Sequence, residues 1–180
     1  MTKKNISIYL VVCVVLAFSA IAFGFGDPPA AGVAAPDFKL PTTEGGPVSL
    51  KDYKGKWVVL YFYPRDMTSG CTMEAHNFQA DLAKYTALNT VILGVSVDSV
   101  DSHKEFCTKE SLTFKLLADT DHTVTDTYGS LIESKSGVKY AARNTFIIDP
   151  NGKIAKVYLK VNPMGHSAEV LAALAELQKK

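Results

Sequence analysis

Residues 56–64 read KWVVLYFYP and residues 90–97 read TVILGVSV. Each is a mostly apolar run rich in β-branched and aromatic side chains, and the first is closed by a proline. Runs of this kind predict strands buried on both faces, as in a sheet covered by helices. Between them, Cys71, Ala75, Phe78, Leu82 and Tyr85 recur at steps of four and three, the inner stripe of one α-helix. Strand, helix and strand in this order form a right-handed βαβ unit, which commits the chain to an α/β fold. It also places Cys71 in the helix's first turn, just past the C-terminal end of the first strand.

The remaining pattern fills in around this unit. A second helix is expected from Ser99 to about Lys109, capped by Asp98 or Ser99, with Val100, His103, Phe106 and Cys107 on its inner side. A short strand near Phe114–Leu117 and a brief helix near His122–Tyr128 follow. NTFIIDPNGKIAKVYLKV (144–161) reads as a hairpin about an Asp-Pro-Asn-Gly turn, its second strand alternating Val157, Leu159 and Val161 with Tyr158 and Lys160. Ser167 opens a last helix with Val170, Leu171, Leu174 and Leu177 inward. DFKL and VSL near residues 37–50 add an N-terminal hairpin. The sum is a thioredoxin-like three-layer α/β sandwich with a β-hairpin extension, preceded by a hydrophobic N-terminal helix.

That leading segment is of a different kind. Lys3 and Lys4 precede about twenty uncharged residues, Ile6 to Phe25, long enough to cross a hydrocarbon core of ~30 Å as a helix. The basic start favours a cytoplasmic N-terminus and an extracytoplasmic domain, in the periplasm or at the cell surface. "AIA" at 20–22 also fits a signal-peptide cleavage site, so export after cleavage is the rival reading. Cys13 in "LVVC" loosely matches a lipoprotein box, but Val12 is bulky there and apolar sequence continues past it. GDPPAAGVAAP (26–36) is rich in Pro, Ala and Gly and reads as a tether. The organisation expected is a membrane anchor or signal over 1–26, a linker over 27–36 and a folded domain over 37–180. The 180 residues, 47% of them apolar, suit one domain with a real core, and a net charge of +1 without a basic run argues against nucleic-acid binding.

Only Cys71 and Cys107 remain in the domain, and three readings of them are open: small buried side chains, a structural disulfide, or a nucleophile with its partner. A nucleophilic cysteine must be a thiolate, and an ordinary thiol titrates near ~8.5. A helix N-terminus lowers that value through its unpaired N–H groups and partial positive charge, and Cys71 sits at such an end.

Pro64, Thr68 and Cys71 form Pro-x-x-x-Thr-x-x-Cys, and YFYPRDMTSGCTMEAHNF, VSVDSVDSHKEF, LLADTD and RNTFIIDPNGKI occur in that order. Together they resemble the peroxiredoxins of the AhpC/TSA family, in the PrxQ (bacterioferritin comigratory protein) branch, across nearly all of 37–180. The resemblance implies a thiol peroxidase acting on hydrogen peroxide or organic hydroperoxides, with Cys71 as the residue oxidised to a sulfenic acid. It implies that Arg143 supports the thiolate, that the Thr68 hydroxyl holds the peroxide oxygen, and that Pro64 shields the pocket. Read without the family, Thr68 is a helix cap and Pro64 a strand terminator. Many relatives of this branch carry a resolving cysteine five residues after the first, where this chain has His76. Another subset places it where Cys107 stands, so Cys107 is the candidate resolving cysteine, recycled by a thioredoxin-like dithiol. A small core residue is the plainer reading of Cys107, and a bond to Cys71 needs local loosening of both helices, because disulfides require Cα atoms within about 7 Å. The enzyme so implied uses no metal, flavin or haem and acts as a monomer.

Glu74 matches an acidic position of the motif and reads as a helix-surface carboxylate, and Arg65 as a surface residue. His103 and Cys107, at i and i+4, are too few to hold a metal, and His122 and His166 read as loop or cap residues. Rival functions on the same fold are weaker. A tethered thiol–disulfide oxidoreductase would want a Cys-x-x-Cys pair, where Thr68 replaces the first cysteine. A copper-delivery protein of the Sco type would want a second cysteine at position 75, which is alanine.

Overall fold

The computed structural model describes residues 26–179. An antiparallel hairpin, β1 (Lys39–Pro41) with β2 (Pro47–Ser49), comes first, followed by a 3-10 turn at Leu50–Tyr53. β3 (Trp57–Phe62), α1 (Ser69–Ala80), α2 (Leu82–Ala87) and β4 (Thr90–Ser96) make the βαβ unit, with β3 and β4 parallel. Next come α3 (Val100–Glu110), β5 (Lys115–Ala118), α4 (Thr123–Thr127) and a small hairpin of β6 (Leu131–Glu133) and β7 (Lys139–Ala141). β8 (Asn144–Ile148), β9 (Ile154–Tyr158) and α5 (His166–Leu177) complete the order. The five-stranded sheet runs β5-β4-β3-β8-β9, parallel on one side of β3 and antiparallel on the other. This is the thioredoxin-like α/β arrangement that the sequence predicts.

Alternate residues of β3 serve two cores, which is why its sequence is apolar throughout. Val59 and Tyr61, with Tyr63 beyond the strand, pack against Phe78, Tyr85, Phe106, Val170 and Leu174 from α1, α2, α3 and α5. Val58, Leu60 and Phe62 face the other layer, built on Phe38 and Leu40 of the hairpin and Val124 and Tyr128 around α4. Val59, Phe62, Phe78 and Phe106 are all fully buried.

Three local expectations change. The single helix predicted from the Cys71–Tyr85 stripe is two, broken at Asp81 (φ −92°, ψ 1°). The Asp81 carboxylate there accepts from Ser167 Oγ of α5 and from Lys84 Nζ, both at 2.7 Å, so a tertiary bond overrides the helical period. β9 stops at Tyr158, leaving Leu159 51% exposed and Lys160 at φ 53°. The Lys160 N–H goes to Asn144 Oδ1 (3.0 Å) and the Val161 N–H to the Arg143 carbonyl (2.8 Å), which turns the chain out of its predicted alternation. His166, read as a loop or cap residue, is the buried first residue of α5, with Nε2 2.9 Å from Thr145 Oγ1.

Residues 26–36 run along the domain. Gly32 N–H bonds the Ile154 carbonyl (2.7 Å), Ile154 N–H the Val33 carbonyl (2.9 Å), and Tyr128 Oη donates to the Pro36 carbonyl (2.6 Å). Gly129, at φ 57°, permits the approach, since a Cβ there would lie 2.2 Å from Pro28 N.

The expectation of a transmembrane helix, with its membrane partner and extracytoplasmic placement, is corrected. Among the described residues no helix is long and apolar enough to cross a membrane. The longest run 12 residues, roughly 18 Å at ~1.5 Å per residue, against the ~30 Å of a hydrocarbon core. The segment that prompted the expectation, 6–25, lies outside the described residues.

Candidate active site

β3 delivers the chain to the N-terminus of α1, and β8, antiparallel beside it, starts at the same end, with Asn144 opposite Phe62. Arg143 immediately precedes β8 and so arrives where α1 begins. Its Nη2 donates to Cys71 Sγ at 3.3 Å. Cys71 is 2% exposed, so this donor acts on a sulfur shielded from water, where a charge interaction is strong.

Glu74 lies one turn along α1 on the side of Cys71. Its carboxylate Oε2 pairs with Arg143 Nη1, so one guanidinium bridges the acid and the thiol. Glu74 is fully buried and its Oε1 has no hydrogen-bond partner. Burial pushes its pKa up to about 7, against the opposing pull of Arg143. Burial draws Arg143 down, but its interactions with Glu74 and Cys71 outweigh it and hold the guanidinium above its ordinary value. The sequence-based placement of Glu74 on the helix surface is therefore wrong. Its signal was the three-residue spacing from Cys71, which puts both on one helix face. Gly70 is a second residue the sequence did not single out: a Cβ there would meet Arg143 Nη2 at 3.3 Å, tight enough to disturb the reach to Cys71.

The other candidates take no part in the Glu74–Arg143–Cys71 hydrogen bonds. Thr68 occupies the N-cap position of α1, yet its hydroxyl caps nothing and donates to the Arg65 carbonyl at 3.0 Å. Pro64 ends the strand and lines a surface groove with Arg65, Asp98 and Tyr140. Arg65 is exposed, 4.0 Å from Asp98. Cys107 is half-buried on α3 and is not bonded to Cys71. Burial and the charge of Asp66 push its thiol up to about 11, only partly offset by the Thr43 side chain beside it. His76 reaches across to α3, where its Nε2 lies 2.9 Å from Glu110 Oε2. His103 is buried in a pair with Asp66, its other nitrogen 3.2 Å from the Leu117 carbonyl.

Comparison with known proteins agrees with this geometry. Residues 31–157 match the model of the AhpC/TSA family. Peroxiredoxin Bcp of Bacillus subtilis is 41% identical over 152 residues, covering 83% of this chain and 97% of that one. A variant of Xylella fastidiosa PrxQ superimposes with a TM-score of 0.78 at 34% identity, covering 82% of this chain and 96% of the other. Xanthomonas campestris peroxiredoxin Q superimposes with a TM-score of 0.76 at 35% identity, covering 81% of this chain, in two variants that each replace one cysteine by serine. The two replaced positions are separated by as many residues as Cys71 and Cys107. Another structure of that protein concerns its alkyl peroxide reduction activity.

Proposed function

The chain belongs to the AhpC/TSA family as a peroxiredoxin of the Bcp/PrxQ branch, and from that membership we propose a two-cysteine peroxidase cycle for it. The Cys71 thiolate attacks the terminal oxygen of a hydroperoxide. The O–O bond breaks, the remaining oxygen leaves with a proton as water or alcohol, and Cys71 becomes a sulfenic acid. Arg143 stabilises the thiolate and then the charge that develops on the departing oxygen, while Glu74 fixes the plane of the guanidinium. The Thr68 hydroxyl gives up the Arg65 carbonyl for the incoming peroxide, and Pro64 keeps water from the strand end.

Cys107 resolves the intermediate. Its sulfur attacks the sulfenic sulfur, the S–S bond forms, the S–O bond breaks, and the hydroxyl leaves as water with the Cys107 proton. A thioredoxin-like dithiol then reduces the disulfide through a mixed disulfide. The cysteine spacing in the Xanthomonas campestris relative supports this choice of partner, and that protein's alkyl peroxide activity supports organic hydroperoxides as substrates.

One observation carries the reading: a 3.3 Å guanidinium contact to a sulfur that is 2% exposed. The test mixes the reduced chain with one equivalent of hydrogen peroxide and follows thiol count and intact mass. Loss of both thiols with loss of two hydrogens is expected. Cys107→Ser should gain one oxygen on Cys71 and fail to recycle with thioredoxin. Turnover by Cys71→Ser would overturn the assignment.

A further inference from the structure

The peroxidase cycle leaves one buried polar cluster unused. Asp66, 5% exposed, lies in the turn between β3 and Thr68. Its Oδ1 accepts from Tyr63 Oη at 2.7 Å, and its Oδ2 accepts from Ser102 Oγ at 2.7 Å and faces His103 Nδ1 at 2.8 Å. Ser102 and His103 belong to α3. The backbone N–H of Asp66 donates to Asp98 Oδ2 at 2.9 Å, and that oxygen also takes Ser96 Oγ at 2.7 Å. Side chain and backbone of one residue thus tie the turn to α3 and to the loop before it.

The tied segment is short and consequential. Asp66 stands five residues before Cys71, and His103 one helical turn before Cys107. Between Asp66 and Thr68, Met67 holds φ 59°, a left-handed conformation that a side-chain-bearing residue keeps only where its surroundings enforce it. For Cys71 to reach Cys107, this turn and the start of α1 have to leave α3. Every bond to Asp66 resists that movement.

We propose that Asp66 and His103 are positioning residues whose buried pair clamps the Cys71 turn to α3, and that this clamp sets the fate of the Cys71 sulfenic acid. The inference rests on the resolving role of Cys107 given above. With the clamp closed, Cys71 stays beside Arg143, the geometry for attack on peroxide, and Cys107 stays half-buried on α3. With it open, Cys107 attacks the sulfenic sulfur and water leaves. If a second hydroperoxide arrives first, it oxidises the sulfenic acid to a sulfinic acid and leaves as water or alcohol. The clamp holds the intermediate in the closed form and so lengthens the interval in which the second oxidation competes. Within the closed form, burial and the Asp66 charge keep the Cys107 thiol protonated, which agrees with a partner silent until the turn opens.

The test uses the full chain as wild type, His103→Gln and Ser102→Ala. Three quantities are followed by rapid quench and intact mass: the first oxidation, disulfide formation, and the sulfinic fraction at excess hydrogen peroxide. Losing a hydrogen bond to a charged group is worth about tenfold in an opening equilibrium. In His103→Gln, disulfide formation is expected to rise about tenfold while the sulfinic fraction falls and the first oxidation does not rise. Ser102→Ala, which removes a 2.7 Å bond to the same carboxylate, should move the same quantities the same way by about tenfold, and it decides alone if His103→Gln does not fold. Disulfide formation within about twofold of wild type in the folded variants overturns the clamp, as does a parallel slowing of all three quantities. A wild type that forms no Cys71–Cys107 bond overturns the resolving role and the clamp together, which separates the two failures.

Discussion

Two buried carboxylates near the start of α1 meet opposite fates. Asp66 has Tyr63, Ser102 and His103 directed at its two oxygens. Burial pushes its pKa up, but the His103 and hydroxyl hydrogen bonds outweigh burial and hold it below the ordinary carboxylate range. Glu74 has only Arg143 on one oxygen and nothing on the other, so burial wins and carries it to about 7. The formal partnership of acid and base is the same. The number of donors aimed at the acid decides which way it moves, because a buried oxygen without a donor pays the full cost of leaving water. The first arrangement holds a turn in place. The second leaves a guanidinium shared between an under-satisfied acid and the Cys71 sulfur.

The sharpest way to break this contrast is to remove the base from the well-satisfied centre. His103→Ala strands the Asp66 charge in the core and is expected to cost about 3–5 kcal/mol of unfolding free energy. Denaturant titration at neutral pH measures it.

A pH series tests the opposite signs. Glu74, raised from 4.5 to about 7 in the folded state, binds its proton more tightly folded than unfolded. Its favourable contribution is complete below about pH 4.5 and is lost as pH rises through 7, in total roughly 3 kcal/mol. Asp66, held low, contributes stability above the ordinary aspartate value of 3.8, which is lost as pH falls through the folded value. Relative to wild type, Glu74→Gln should therefore gain stability from pH 4.5 to 8. Equal pH dependence of the two proteins over that window would remove the distinction drawn above.

Arg143→Lys asks whether the fork geometry matters to the second centre. A lysine ammonium is a point charge and cannot bridge Glu74 and Cys71 as the planar guanidinium does. The rate constant with hydrogen peroxide is expected to fall about 10²-fold, the scale of losing one preorganised donor, read by stopped-flow competition for peroxide. The partly exposed His76–Glu110 pair, with side chains 51% and 15% exposed, gives the lower reference. Glu110→Gln should change stability by no more than about 0.5 kcal/mol, and a larger loss in thermal melts would mean that burial is not what separates the pairs.

The sequence alone carried the βαβ unit, the burial of both faces of β3 and the hairpin about the 149–152 turn, each written in local signals: an apolar run, a helical stripe and a turn tetrapeptide. The pairing of Arg143 with Cys71, 72 residues apart, was implied only by the family resemblance and not by any local signal. The sequence did not carry the break at Asp81, which depends on Ser167, 86 residues away. Nor did it carry the burial of Glu74, whose partner lies 69 residues on, or the Asp66–His103 pair across 37 residues. The Thr68 hydroxyl, read without the family as a helix cap, donates to the Arg65 carbonyl instead. Periodicity and propensity are properties of neighbours along the chain and survive in the sequence. Whether a charged side chain on a helix meets water or a partner depends on which elements the fold packs against that helix, and for Glu74, Asp66 and His103 only the tertiary structure decided it.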